Sequence, residues 1–244
     1  MSETTSSSVI EALIYGILNA PIRTYPFPHF YAENIFPPDF YDQIRAHFPE
    51  PADFTPIEDT GRVQVLQGDK TDRYVIALDR KKVDPLPPLL KLFWQQMSDI
   101  LKSPRFGEAL LAKFHPYIMQ RFGDRIAQAS FKPDILLIRD RSEYSLGPHS
   151  DAARRVVVFL LYLPENDDHP ELGTSVYVPK DPTQKFASGP HYQFEAFHRV
   201  FTAPYRRNCA FGFVKSDQSF HGVEPLADKS HERTLIHMFL AEED

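Results

Sequence analysis

The chain has 244 residues, 27 basic against 33 acidic for a formal net charge of −6, with 42% hydrophobic and 25% charged residues. It is long enough to bury a sizeable core, as one domain with an elaborated terminus or as two small ones. Its acidic balance argues against a general binder of nucleic acid or anionic membranes. The single Cys209 excludes an intrachain disulfide framework and fits a reducing, cytoplasmic setting.

Met1–Ser8 is polar and has no basic run, and the apolar stretch Val9–Ala20 contains Glu11 and is too short to span a bilayer. This stretch is predicted to be an amphipathic helix with Ser7 or Ser8 as N-cap. Prolines hold Pro21–Pro28 extended. Pro37-Pro38-Asp39 then opens a predicted helix over Phe40–Phe48, ended by Pro49. Arg62–Leu66 and Arg73–Leu78 are β-rich runs separated by Gly68-Asp69, which predicts a hairpin. Apolar residues recur at three- and four-residue intervals in Pro88–Leu101 and Phe106–Arg121, so both are expected to be helical, the second kinked or split at His115-Pro116.

From residue 130 the texture changes. Ile135–Ile138, Val156–Leu163, Thr174–Val178, Ala210–Val214 and Thr234–Leu240 are short β-type runs punctuated by Pro, Gly and Asp/Asn clusters. The expected fold class is α+β: a double-stranded β-helix, or jelly-roll, barrel flanked by N-terminal helices that cover one sheet. The chain reads as one domain over 1–244, with a mainly helical part over 1–129 and the jelly-roll core over 130–244.

The chemistry is concentrated in His149-Ser150-Asp151, with His221 72 positions beyond His149 (221 − 149) and Arg233 12 beyond His221 (233 − 221). Residues i and i+2 of an extended chain point to the same side, so His149 and Asp151 can face one ion. A third ligand must come from a distant stretch, and His221 follows the β-run Ala210–Val214. Two imidazoles and a carboxylate can occupy one triangular face of an octahedral Fe(II), leaving three positions for substrate chemistry. A guanidinium can then grip a carboxylate through two parallel charge-assisted hydrogen bonds. With ten histidines in the chain, His-x-Asp alone is a weak signal, and the added His221, Arg233 and strand pattern give it weight.

These pieces together resemble the 2-oxoglutarate- and Fe(II)-dependent oxygenases of the prolyl-hydroxylase-like type. The resemblance rests on Tyr144–Asp151, on Val157–Leu163 with Pro164, on Gly173–Tyr177, on Phe220–Val223 and on Arg233-Thr234-Leu235. Pro26–Phe30 followed by Pro37-Pro38 also matches, so most of residues 25–240 are covered. It implies that His149, Asp151 and His221 bind iron and form the catalytic centre. It also implies that Arg233 pairs with the C5 carboxylate of 2-oxoglutarate, and that O2 is the oxidant. Many relatives place Ser or Thr two residues after this arginine, whereas position 235 is Leu. A tyrosine is expected to share the carboxylate instead, with Tyr144, Tyr162 and Tyr177 as candidates and Tyr144 and Tyr162 preferred. Asp151, absent from halogenating relatives, implies hydroxylation or another oxygen-dependent oxidation.

The implied activity is a cytoplasmic dioxygenase that hydroxylates a small molecule and decarboxylates 2-oxoglutarate to succinate. A peptidyl side-chain hydroxylase of the same chemistry stays open. So do a cupin-like Zn or Mn enzyme, since the same ligands bind zinc, and a non-catalytic barrel that binds ligands. Oligomeric state is not readable. His237, on the Arg233 strand, reads as a packed or solvated histidine, with a spare ligand or substrate contact as the alternative, and His231 as a loop residue. Arg139, Arg141, Arg154 and Arg155 read as solvated or paired with acids, with a substrate anion as the alternative. The connection Pro179–Pro204 is expected to be a long loop at the barrel mouth, its aromatic Gly189–Phe194 segment a candidate pocket wall. Cys209 is expected to be a buried strand residue.

Overall fold

The computed structural model describes residues 3–62, 71–141, 144–225 and 231–243. The helices are α1 (Glu3–Asn19), α2 (Pro38–Ala46), α3 (Arg80–Val83), α4 (Pro88–Leu101), α5 (Pro104–Lys113) and α6 (His115–Phe122). The strands are β1 (His29–Glu33), β2 (Thr55–Pro56), β3 (Arg73–Ala77), β4 (Phe131–Asp140), β5 (Leu146–His149), β6 (Arg155–Tyr162), β7 (Thr174–Pro179), β8 (Phe197–Ala203), β9 (Cys209–Val214), β10 (His221–Val223) and β11 (Arg233–Glu242).

Two antiparallel sheets face each other. The larger runs β1-β9-β6-β11-β4-β3-β2 and the smaller β5-β10-β7-β8. Side-chain alternation sorts the large sheet into two faces. Ile236, Met238 and Leu240 of β11, with Val157, Phe159 and Leu161 of β6, pack outward into a core shared with Leu13 of α1 and with Trp94 and Met97 of α4. Leu235 and Phe239, with Val158, Leu160 and Tyr162, pack inward between the sheets. A central strand covered on both faces has no polar side, which is why Val156–Leu163 reads as an unbroken apolar run.

The helices cover the outer face of the large sheet. Val9, Leu13 and Ile17 make one buried stripe of α1, at the four-residue spacing a helix face requires. Trp94 is fully buried, and its indole N–H donates to the His47 carbonyl at 2.7 Å. Ser103 caps α5 by accepting the Phe106 N–H at 3.4 Å. The chain breaks at Phe114, between α5 and α6, where Pro116 cannot continue the preceding helix. No helix among the described residues is long and apolar enough to cross a membrane.

Several sequence-based expectations shift. The first helix is already under way at Glu3, so Ser7 and Ser8 lie inside it and not at its N-cap. The second helix is Pro38–Ala46, two residues ahead of the predicted span, because a proline is well placed in a first turn. The hairpin turn and most of its first arm fall on residues 63–70, outside the described residues. The neighbours of β3 are β2 and β4. Residues 1–129 supply β1, β2 and β3 to the large sheet, so the two parts of the chain share one sheet. The Pro179–Pro204 connection is not all loop, because Phe197–Ala203 forms β8 against β7.

Candidate active site

His149 ends β5, His221 opens β10, and the two are direct Cα partners in the small sheet. That pairing sets their rings 4.3 Å apart. It requires close backbone approach: a Cβ on Gly222 would press into the Leu146 carbonyl oxygen, and one on Gly147 into the Tyr192 carbonyl oxygen. Asp151 follows the strand end and brings its carboxylate under both rings. One ligand atom from each residue lies within 4.8 Å of the others, and all three residues are buried. His149 Nε2 is 3.9 Å from Asp151 Oδ1, and His221 Nε2 is 3.6 Å from Asp151 Oδ2.

The remaining nitrogens fix the tautomers. His149 Nδ1 lies 3.1 Å from the Gly147 carbonyl oxygen, and His221 Nδ1 lies 3.0 Å from that of Ser219. A carbonyl oxygen only accepts, so each Nδ1 carries the proton and each Nε2 presents a lone pair. Burial lowers the His149 pKa to about 3, helped by the His221 charge and opposed by Asp151. Burial likewise lowers His221. Both imidazoles are therefore neutral near pH 7. Burial alone would raise Asp151, but the Arg155 guanidinium overrides it and holds the carboxyl well below the usual carboxylate range. Arg155 donates from Nη1 to Asp151 Oδ1, while its guanidinium stacks on Phe239 at 4.1 Å. Asp151 Oδ2 is buried without a hydrogen-bond partner. Two free lone pairs and a bare carboxylate oxygen facing one point suit a divalent cation.

Arg233 opens β11 on the inward face and is buried. It donates from Nη1 to Asp140 Oδ2 at 2.8 Å and from Nη2 to Thr174 Oγ1 at 3.0 Å. Its guanidinium carbon lies 5.8 Å from the Tyr162 ring centre. The Tyr162 hydroxyl accepts the Thr174 N–H at 3.1 Å. Tyr144 lies beneath a second arginine, Arg73, at 4.1 Å. Two of the candidate tyrosines thus stand beside these arginines. Tyr177 does not: its hydroxyl donates to Glu224 at 2.7 Å.

Arg73, Asp140 and Thr174 escaped the sequence reading as site residues, whereas Arg155, read there as solvated or paired with an acid, pairs with Asp151. Arg155 had a local signal, four residues after Asp151. Arg73 and Asp140 pair across 67 residues and had none. Arg139 and Arg141 pair with Glu232 at 3.3 and 3.6 Å, and Arg154 is exposed. His237 stands outside the His149, Asp151 and His221 group and is half-buried. Its Nε2 is buried with no hydrogen-bond partner, and its ring meets Phe239 edge-on. Burial and the Arg155 charge push its pKa well down, with Asp151 opposing and Arg73 contributing further. The segment before β8 lies along the metal motif: the Gly189 N–H donates to the Ser150 carbonyl at 2.8 Å and the Tyr192 N–H to that of Pro148 at 2.9 Å. Its Phe186, Tyr192 and Phe194 join Phe197, Phe220 and Tyr177 in one aromatic cluster.

No family model matches the chain, and no curated protein matches it in sequence. Solved structures match it in fold. One is a prolyl hydroxylase from Trichoplax adhaerens in complex with a hypoxia inducible factor oxygen degradation domain peptide fragment. It is 9% identical with a TM-score of 0.51, over 99% of this chain and 94% of that one. Another is a non-heme alpha-ketoglutarate-dependent carbocyclase from nogalamycin biosynthesis, 14% identical with a TM-score of 0.50, over 100% of this chain and 88% of that one. The fold they share with this chain is the double-stranded β-helix expected from the strand pattern.

Proposed function

We propose that this protein is an Fe(II)- and 2-oxoglutarate-dependent dioxygenase that hydroxylates a small molecule while converting 2-oxoglutarate to succinate. The observation that carries the reading is the buried His149, Asp151, His221 triad, with two neutral imidazoles and a carboxylate directed at one point. The fold likeness to solved oxygenases supports it. A ferrous ion held there supplies, with 2-oxoglutarate and O2, the oxidative chemistry that no side chain can perform alone.

The chain's own residues bind, orient and exclude water. The Gly147 and Ser219 carbonyls keep His149 and His221 in the ligating tautomer. Arg155 keeps Asp151 ionised and oriented. Arg233 receives the distal carboxylate of 2-oxoglutarate. The Tyr162 hydroxyl, already accepting from Thr174, has its own proton left to donate, so it and Tyr144 flank that carboxylate. Apolar inward residues such as Val158, Leu160 and Phe213 keep the space between the sheets dry, which strengthens every charge interaction there.

The test is to load the protein with Fe(II) and 2-oxoglutarate without oxygen, admit O2, and quantify succinate. Slow uncoupled succinate formation is expected even without substrate, and its rise marks the correct compound in a panel of small molecules and peptides. A protein that binds zinc and no 2-oxoglutarate would move the assignment to a cupin-like hydrolase.

A further inference from the structure

Arg73, Asp140 and Arg233 stand on three adjacent strands. Asp140 is the Cα partner of Arg73 across β3 and β4 and of Arg233 across β4 and β11. Neighbouring strands lie about 4.8 Å apart, so this register puts the three charged groups side by side on the inward face. Arg73 grips Asp140 with two parallel bonds, Nε to Oδ1 at 2.6 Å and Nη2 to Oδ2 at 2.8 Å. Arg233 takes the remaining approach to Oδ2 at 2.8 Å. The side chains are 12%, 2% and 2% exposed for Arg73, Asp140 and Arg233.

Two guanidiniums against one carboxylate leave one positive charge uncompensated in a dry place, which is unfavourable unless an anion joins it. The donor count agrees. Arg233 uses Nη1 on Asp140 and Nη2 on Thr174, while its Nε is buried with no partner. Without Arg73, Asp140 would neutralise Arg233 one to one. The arginine would then be a closed structural ion pair with no net attraction for an acid.

Building on the dioxygenase reading, we propose that Arg73 is a positioning residue for the acidic co-substrate: by occupying Asp140, it leaves Arg233 with the unspent charge that binds the distal carboxylate. Arg73 does this through Asp140, without touching the ligand. The cluster behaves as a receptor whose affinity follows its net charge, set from a part of the chain remote from the metal motif.

The experiment is calorimetric titration of Mn(II)-loaded protein with 2-oxoglutarate, and with pyruvate as a 2-oxo acid lacking the distal carboxylate. Thermal unfolding checks that each variant is folded. Arg73→Gln takes the cluster from one excess positive charge to none and should weaken 2-oxoglutarate at least about tenfold, as losing one member of a buried charge network does. Pyruvate binding should stay unchanged. The double variant Arg73→Gln/Asp140→Asn restores one excess charge, carried by Arg233 alone, and should recover most of the loss. Arg73→Lys keeps the charge without the fork and should fall between wild type and Arg73→Gln. Should Arg233→Gln weaken 2-oxoglutarate while Arg73→Gln leaves it untouched, or should the double variant bind no better than Arg73→Gln, the role of Arg73 is overturned and the dioxygenase reading stands. Wild-type protein that binds pyruvate but shows no preference for 2-oxoglutarate overturns both.

Discussion

Asp151 accepts from Arg155 through one carboxylate oxygen and leaves the other bare, 3.6 Å from His221 Nε2. One side chain thus divides its two oxygens between a structural partner and an open site. The guanidinium sets the charge and angle of the carboxylate, and the bare oxygen is what a cation would meet.

Replacing Arg155 with Met therefore should weaken metal binding although Arg155 donates no ligand atom. A loss of about 10- to 100-fold is expected, the usual consequence of removing an outer-shell partner. Equilibrium dialysis with Mn(II) measures it. Asp151→Ala, which removes the ligand itself, should lose more. Equal affinities for wild type and Arg155→Met would mean that the ion pair serves only packing.

Stability of the metal-free protein should fall as pH drops below about 6.5. His149 has a pKa near 3 in the folded chain against about 6.5 when unfolded. Above that value neither state is protonated, and burying the neutral ring carries no proton penalty. Below it the unfolded chain binds a proton that the native one refuses, removing about 1.4 kcal/mol per pH unit for this residue until the pH approaches the folded pKa. His221 and His237 are shifted in the same direction, which steepens the slope. Urea melts at pH 7.5, 6.5 and 5.5 with chelator present check this, and Mn(II) should raise the midpoint most at the higher pH values. A flat profile between 6.5 and 5.5 would contradict the buried, neutral state of these rings.

Gly222→Ala should harm the site more than the fold. The added methyl presses into the Leu146 carbonyl, which is backbone and cannot swing aside, so β5 and β10 must separate where His149 faces His221. Strain of this kind costs about 1–3 kcal/mol. Metal affinity should drop sharply while far-ultraviolet circular dichroism stays near wild type, because the large sheet pairs its own strands without β5 or β10.

His237→Leu should stabilise the metal-free protein. The buried Nε2 has no partner, and a buried polar atom left unsatisfied costs about 1–3 kcal/mol. An apolar side chain in its place among Leu136, Leu160 and Phe239 should raise the melting temperature by several degrees. If it lowers the melting temperature instead, the ring has a polar partner between the sheets.

Much of this arrangement was visible in residue order because it depends on local rules. Alternation and apolar runs located β4, β6, β7, β9 and β11, and the break at His115-Pro116 follows from the missing proline N–H. His149 and Asp151 belong to one short motif. Among the strands that escaped notice the patterns are weak: β10 has three residues, β5 is Leu-Gly-Pro-His, and β8, Phe-His-Arg-Val-Phe-Thr-Ala, lacks strict alternation and lies inside what composition marks as a connection. Long-range register was invisible altogether. Nothing near Arg73 announces Asp140, and nothing near Leu235 announces that Thr174 supplies the hydroxyl beside Arg233. Such contacts are made by strand order, which short sequence windows do not encode.

The segment through Gly189 and Tyr192 occupies the outer edge of β5, which would otherwise present bare carbonyls at Pro148 and Ser150. Exposed strand edges recruit other chains. Shortening this segment to widen access would thus lay open a sticky rim beside the metal ligands, and such deletions should self-associate before they gain new substrates.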